Sequence, residues 1–144
     1  FMPFYFGPRS PMLYVIQNGY NGVRKVSPEN LIYCVVRIDD IINNNVDCFF
    51  TDGHALSSLT CYYHKSRLVE LDNIVKYADV YSSFWNDEED PDLKRRKEAE
   101  LLINEDIPAQ YIRGIVVYNE VAREHLISIG VAAELIVVKP GYYF

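Results

Sequence analysis

The chain carries four consecutive basic residues at positions 94–97, followed directly by Glu98-Ala99-Glu100 and an apolar run at 101–103. If the segment is extended from Glu98 onward, side chains two residues apart project to the same face, about 6.5–7 Å from each other. Both carboxylates then face one site. Two acids at this spacing can share chemical work, one polarising a sugar hydroxyl as charge develops and the other orienting an incoming nucleophile.

The same segment also fits the exposed face of a charged helix. Lys94 and Glu98 lie four residues apart, and so do Arg96 and Glu100. Opposite charges at that spacing stabilise a helix in water. The local sequence leaves both alternatives open.

Length and composition predict one domain. The chain has 144 residues, is 49% apolar and contains 7 Phe and 12 Tyr, which is enough bulk for a hydrophobic core. We therefore expect a single domain over residues 1–144. The chain opens on Phe1, and residues 2–6 are more apolar than a solvated natural terminus, so we expect that its true start is missing.

The net charge of −6 argues against binding nucleic acid by bulk electrostatics. Positive charge is nevertheless concentrated at residues 24–25, 64–67 and 94–97. A cleft lined with a few cations can attract a polyanion although the remainder is acidic. A run of like charges is also often simply solvated, so the basic clusters are a weak signal.

The three cysteines lack paired C-x-x-C spacing, which disfavours both a zinc site and a disulfide framework. We expect reduced thiols, a cytoplasmic protein and no metal. Cys34 lies in a β-branched run and is predicted to be buried. No apolar stretch approaches the roughly 20 residues that span a membrane, so we predict no membrane association.

Hydrophobic periodicity predicts interleaved strands and helices. No glycine-rich phosphate-binding motif follows any strand, which disfavours a doubly wound nucleotide-binding fold. The fold class predicted is α+β with a small mixed or split sheet. Residues 12–16 fit either a strand or a helical turn, and residues 85–91 fit an acidic loop. The predicted strands are 31–38, 47–51, 101–103, 112–117 and 135–138, and the predicted helices are 39–44, 55–63, 71–76 and 119–129.

Four sequence motifs follow one another along the chain. Residues 5–13 read Tyr-Phe-Gly-Pro-Arg-Ser-Pro-Met-Leu, residues 51–54 Thr-Asp-Gly-His, residues 95–100 Arg-Arg-Lys-Glu-Ala-Glu, and residues 139–142 Lys-Pro-Gly-Tyr. In this order they resemble the DarT family of DNA ADP-ribosyltransferase toxins over essentially the whole chain. The first and third motifs are specific, the second is moderately so, and the last is weak by itself.

The resemblance implies an ADP-ribosyltransferase fold, in which NAD binds as a substrate in the cleft of a split mixed β-sheet with flanking helices. ADP-ribose is then transferred to a base in single-stranded DNA. Glu100 falls on the family's catalytic glutamate, and a carboxylate there stabilises the positive charge left on the ribose when nicotinamide departs. Arg9 falls on the arginine of the first motif and is expected to pair with the pyrophosphate. The alternative for Arg9 is a surface arginine in a turn.

Further site residues follow from the same resemblance. Glu98 stands where the family usually has Gln, and we expect its carboxylate to accept a hydrogen bond or a proton from the acceptor base. Tyr5, Phe6, Met12 and Tyr14 are expected to line the nicotinamide pocket, although such a cluster also fits a core. Gly53 permits a tight turn that presents His54 to the cleft; the alternative is a turn that only links two elements.

Single-stranded DNA is expected to follow a basic and aromatic track. Its predicted members are Lys94, Arg95, Arg96 and Lys97, together with Tyr62, Tyr63, His64, Lys65 and Arg67. By family analogy, a macrodomain antitoxin is the expected protein partner. The family also has an N-terminal segment with a histidine that helps to seat NAD. This chain has no counterpart, so we expect the 144 residues by themselves to bind NAD weakly and to show little or no activity.

Two other functions remain open from the sequence. One is a catalytically silent module that keeps the transferase scaffold and binds nucleic acid or a protein partner. The other is a transferase with the same chemistry that modifies protein or tRNA. The presence of both Glu100 and Arg9 disfavours the silent module.

Overall fold

Seven short strands form two sheets, and each sheet belongs to one of the two compact units of the chain. The computed structural model describes residues 1–144. The first unit comprises residues 1–11 and 41–106, and the second comprises residues 12–40 and 107–144. The strands are β1 (Met2–Tyr5), β2 (Tyr33–Val36), β3 (Cys48–Thr51), β4 (Tyr62–His64), β5 (Glu100–Ile103), β6 (Ile112–Val117) and β7 (Ile136–Val138).

Six α-helices accompany the strands, and short 3-10 turns connect several of them. None of the helices is long and apolar enough to cross a bilayer. The helices are α1 (Pro11–Asn18), α2 (Ile38–Asn43), α3 (Leu71–Ile74), α4 (Tyr77–Val80), α5 (Leu93–Lys97) and α6 (Glu120–Ser128).

The sheet of the first unit is antiparallel, in the order β1-β5-β3-β4. Strand β5 has a neighbour on each side, and all four of its residues are buried. A strand covered on both faces is a continuous apolar run rather than an alternating one, which accounts for residues 101–103. In this register Leu101 lies opposite Phe4 of β1 and Phe50 of β3, and Glu100 lies opposite Tyr5.

The sheet of the second unit has the order β2-β6-β7, with β2 and β6 antiparallel and β6 and β7 parallel. Helix α6 places Ala122 against Ile115, Val117 and Ile136 of this sheet. Asn119 caps the helix, because its side chain accepts a hydrogen bond from the backbone N–H of Ala122 at 3.0 Å. This cap is predicted from the sequence and is confirmed.

Most predicted elements are confirmed. Each of the five predicted strands overlaps an observed strand, helices form within the predicted segments 39–44, 71–76 and 119–129, and residues 12–16 belong to helix α1. The single-domain expectation stays a prediction.

Two predictions from the sequence are wrong. Residues 55–63 do not form a helix but a loop followed by β4, because Ser57 and Thr60 hydrogen-bond to nearby backbone groups and compete with a helix. Cys34 is exposed rather than buried, since β2 is an edge strand whose register shifts between Val35 and Val36. Strand β1 is an element that the sequence did not indicate.

Candidate functional site

The two carboxylates of the Glu98-Ala99-Glu100 segment lie at the corner between α5 and β5. The helix ends at Lys97, Glu98 closes its last turn by donating its N–H to Arg95 O at 3.2 Å, and the strand begins at Glu100. The helical interpretation is therefore correct up to Lys97, and the extended interpretation is correct from Glu100 onward. Simple alternation along a strand does not place Glu98, yet both glutamates are buried, at 7% and 6% exposure.

Glu100 is fixed at its backbone and at its carboxylate. Its N–H donates to the Thr51 hydroxyl at 3.0 Å, and that hydroxyl donates to Gly53 O at 2.7 Å. The carboxylate Oε1 accepts a hydrogen bond from the backbone N–H of Ala55 at 3.3 Å. Since Thr51 is fully buried, Glu100 cannot shift without breaking this arrangement.

Tyr5 lies beside both carboxylates. Burial raises the pKa of its phenol to about 12, and the negative charges of Glu100 and Glu98 contribute to the increase. The phenol therefore remains a neutral hydrogen-bond donor at any working pH. Tyr5 therefore lies beside the acidic pair, opposite Glu100 in the sheet, while its predicted role in the nicotinamide pocket stays a prediction.

Glu98 lies in a mixed electrostatic environment. Burial raises the pKa of its carboxyl above the ordinary range, and Glu100 adds to that increase, whereas His54, Lys94 and Lys97 oppose it. The raised pKa makes this carboxylate a stronger base than an exposed glutamate, which suits it to accept a proton.

His54 is held by backbone contacts on two sides. Its N–H donates to Arg95 O at 2.9 Å, and its carbonyl accepts from the Thr60 hydroxyl at 2.8 Å. The ring Nδ1 accepts a hydrogen bond from the N–H of Leu56 at 3.1 Å. In the neutral ring the hydrogen is consequently on Nε2. His54 lowers the pKa of the Glu98 carboxyl, and its neighbour Ala55 binds Glu100, so His54 lies close to the acidic pair. Its predicted role in the cleft stays a prediction.

Arg95 and Arg96 are both bound to carboxylates of the first unit. Arg95 pairs with Asp52 at 2.9 Å and with Asp92 at 2.7 Å. Arg96 pairs with Asp79 at 2.7 Å, with Asp90 at 2.5 Å and with Asp92 at 3.3 Å, rather than with Glu100. Their predicted contact with DNA stays a prediction, and these ion pairs give both residues a structural role that the sequence did not indicate. Lys94 is exposed.

Lys97, the last residue of the basic run, is buried at 2% exposure. Its Nζ donates to Pro8 O at 3.2 Å and to Val80 O at 3.1 Å, and it lies 5.9 Å from the centre of the Trp85 ring. Burial, together with the charge of Arg9, lowers its pKa to about 8. Nothing in the sequence distinguishes this lysine from its solvated neighbours.

Arg9 stands between two prolines with a left-handed backbone, at φ 56°. Its Nε atom is buried. Since its charge lowers the pKa of Lys97, Arg9 lies near the end of α5, from which Glu98 projects. Arg9 is partly buried, and its predicted pairing with the pyrophosphate stays a prediction.

Met12 and Tyr14 belong to the second unit. Met12 is 51% exposed, and the Tyr14 ring packs against Phe144 and Tyr20 at centroid distances of 5.0 and 5.6 Å. Their predicted place in the nicotinamide pocket stays a prediction. No group of three or more His, Cys, Asp or Glu side chains is arranged to hold a metal ion.

Comparison with solved structures defines the class of protein as an ADP-ribosyltransferase fold. The structure superposes on Thermus sp. 2.9 DarT in complex with NAD+ with a TM-score of 0.82 and 26% identity, over 99% of this chain and 71% of that chain. It superposes on the same protein in complex with ADP-ribosylated single-stranded DNA with a TM-score of 0.82 and 27% identity, over 99% and 68%. The predicted fold class is confirmed.

Family comparison then gives the identification. The family model described as "ssDNA thymidine ADP-ribosyltransferase, DarT" matches residues 1–144, and the chain belongs to the DarT family. A DNA ADP-ribosyl transferase of Escherichia coli O127:H6 is 34% identical over 88% of this chain and 57% of its own length. The chain thus spans somewhat more than half of that relative.

A third relative combines two activities in one chain. It is a DNA ADP-ribosyl transferase–DNA ADP-ribosyl glycohydrolase fusion protein of Thermosipho africanus, 32% identical over 88% of this chain and 30% of its own length.

Proposed function

We propose that this chain transfers ADP-ribose from NAD to a base in single-stranded DNA, as the toxin of a toxin–antitoxin pair. The observation that carries the proposal is the buried Glu100, which stands at the position of the family's catalytic glutamate. Its backbone N–H is held by the Thr51 hydroxyl and its carboxylate by the Ala55 amide. Support also comes from membership of the DarT family and from the similarity to a DarT structure that contains NAD+.

Glu100 acts on the ribose of NAD. As the bond from ribose C1′ to the nicotinamide nitrogen breaks, positive charge develops on the sugar, and a fixed carboxylate that hydrogen-bonds to a ribose hydroxyl stabilises it. The electrostatic effect is large because Glu100 is shielded from water. Since the Ala55 amide holds the carboxylate before the reaction, little reorganisation is needed.

Arg9 binds the pyrophosphate, because a guanidinium stays charged at every working pH and offers paired donors to phosphate oxygens. Tyr5 and His54 complete the polar surroundings of the sugar. Tyr5 remains a neutral donor, and His54, whose Nδ1 accepts from Leu56, offers Nε2–H as a donor.

Glu98 receives the acceptor base. The family description names thymidine, whose ring has an imino N–H that a carboxylate can bind and deprotonate. The step balances: the bond from C1′ to nicotinamide breaks, a bond from C1′ to the base nitrogen forms, and the proton of the base passes to Glu98. The raised pKa of Glu98 makes this carboxylate a stronger base than an ordinary glutamate.

A single strand is the suitable substrate because its bases are reached without breaking pairs. Tyr62 is half exposed, and its hydroxyl donates to Ala55 O, which places its ring beside the loop that contacts Glu100. A base can stack on such a ring, and the exposed Lys94 can contact phosphate.

A macrodomain antitoxin that removes the ADP-ribose is the proposed partner. The Thermosipho africanus relative, which is named as a fusion of transferase and DNA ADP-ribosyl glycohydrolase, supports the pairing of these two activities.

The test offers labelled NAD to the chain with single-stranded DNA, RNA and protein in parallel. Because the 144 residues are expected to bind NAD weakly, the assay uses a high concentration of NAD and an excess of the chain. We expect weak label on single-stranded DNA under these conditions, and its loss in E100Q. The matched control is E105Q, which changes an exposed acid of the same unit and should leave the transfer unchanged. Label on RNA or protein alone would identify a different acceptor, and no label on any of them would favour a silent module.

The role of Glu98 is tested separately with E98Q. We expect binding of NAD to persist and transfer to DNA to fall, because an amide cannot take the proton. Full DNA modification by E98Q would show that the charge is dispensable, and loss of NAD binding would show that Glu98 contacts NAD rather than the base.

A further inference from the structure

The loop between β3 and β4, residues 52–61, supplies two of the groups that surround the acidic pair. Its Ala55 amide donates to Glu100, and its His54 side chain lies close enough to lower the pKa of the Glu98 carboxyl. This β3–β4 loop contains no helix or strand of its own. Its conformation therefore depends on hydrogen bonds within the loop, such as that from the Thr60 hydroxyl to His54 O, and on contacts with other parts of the first unit.

Arg95 makes those contacts at several points. Its carbonyl accepts from His54 N at 2.9 Å, and its guanidinium NH1 donates to Asp52 Oδ1 at 2.9 Å and to Thr60 Oγ1 at 3.2 Å. Asp52 and His54 near the start of the loop and Thr60 near its end are thus bound by one residue of α5. Asp52 Oδ1 also accepts from Cys61 N at 3.0 Å, which closes the base of the loop.

Close packing reinforces these bonds. A Cβ atom on Gly53 would lie 2.4 Å from Arg95 NH1 and 2.9 Å from Arg95 O, so the loop backbone rests directly on the arginine. From the other side, Asp92 holds the guanidinium through Nε at 2.7 Å and NH2 at 2.9 Å. The side chain is only 15% exposed and has a fixed orientation.

We propose that Arg95 is a positioning residue for the transfer reaction, which holds the β3–β4 loop against Glu98 and Glu100 and does not contact DNA. The inference rests on the proposed function for its catalytic consequence. Its structural part, the clamp on the loop, can be tested without activity.

Arg96 provides the matched control. It is the next residue of α5 and is likewise bound to carboxylates, but its partners are Asp79, Asp90 and Asp92, and none lies in the β3–β4 loop. Lysine in place of either arginine keeps the charge and loses the forked geometry. R95K and R96K therefore differ in whether the loop is released.

The first measurement is hydrogen–deuterium exchange of the backbone amides of His54 and Cys61. We expect exchange at least about tenfold faster in R95K than in the wild type, and unchanged exchange at these amides in R96K. T60V, which removes only the hydroxyl between Arg95 and His54 O, is a milder variant and should accelerate exchange of the same loop. Unchanged exchange in both R95K and T60V would overturn the inference.

The second measurement is kinetic. We expect kcat of R95K to fall about 10- to 100-fold with little change in KM for DNA, because small displacements of catalytic groups have effects of this size. E105Q, which changes an exposed acid outside the loop and outside α5, should retain kcat within about threefold. We also expect R95K and the wild type to show the same salt dependence of single-strand binding. A shallower salt slope with unchanged kcat would mean that Arg95 contacts phosphate, contrary to the inference.

The two proposals fail in distinguishable ways. A wild-type chain without transfer activity on any acceptor overturns the proposed function and, with it, the catalytic consequence. A β3–β4 loop that exchanges normally in R95K and T60V overturns the clamp, whether or not the wild type is active.

Discussion

Replacement of Lys97 by methionine should change the free energy of unfolding in a pH-dependent way. The value of K97M relative to the wild type should be higher near neutral pH than in alkali. Lys97 is almost completely buried, and its Nζ donates to Pro8 O and Val80 O. Burial penalises the charged ammonium and lowers its pKa to about 8. A neutral amine has two N–H groups and can keep both hydrogen bonds.

The sign follows from proton binding. Between about pH 8 and 10.5 the unfolded state retains the proton of Lys97 while the folded state has lost it, so stability rises with pH in this window. A lowering from 10.5 to about 8 corresponds to roughly 3 kcal/mol in all, with about 1 kcal/mol recovered between pH 7 and 9. K97M lacks this gain, and its lost hydrogen bonds contribute a constant offset.

Urea unfolding followed by far-ultraviolet circular dichroism gives the free energy of unfolding of both proteins at pH 7, 8 and 9. The relevant quantity is the wild-type value minus the K97M value, since tyrosines and other groups titrate in both proteins and cancel. This difference should increase by about 1 kcal/mol from pH 7 to 9. A difference that stays constant with pH would contradict a lowered pKa for the buried Lys97.

Three further substitutions test individual contacts that stabilise the fold. T51V should reduce the free energy of unfolding by about 1–3 kcal/mol in urea titrations, because the buried N–H of Glu100 loses its acceptor; an unchanged midpoint would contradict this. N119A should cost about 1 kcal/mol through loss of the α6 cap, and an effect below about 0.3 kcal/mol would argue against the cap. G53A should lower the thermal midpoint because of the contacts with Arg95, whereas G141A, with nothing within 4 Å, should not.

The sequence predicted those features that depend on nearby residues. The apolar run at 101–103 and the cap at Asn119 act within their own elements, and both were found as expected. Strand β1 escaped prediction because its pairing partner is β5, about 100 residues away along the chain. A short apolar segment at a terminus gives no local sign of such a partner.

In the candidate site, too, the sequence predicted features set by nearby residues and missed those set by distant ones. The motif identified Glu100, but it could not place Glu98 at the corner between helix and strand, because a helix that stops after Lys97 is set by tertiary contacts. The partners of Arg95 and the burial of Lys97 involve residues as distant as Asp52 and Pro8. Four consecutive basic residues thus have different environments that their order does not reveal.

The most direct test of the proposed chemistry is the mass of a single-stranded oligonucleotide after incubation with NAD and an excess of this chain. We predict the addition of one ADP-ribosyl group with the wild type and none with E100Q. An unmodified oligonucleotide with the wild type, or equal modification by E100Q, would contradict the role assigned to Glu100.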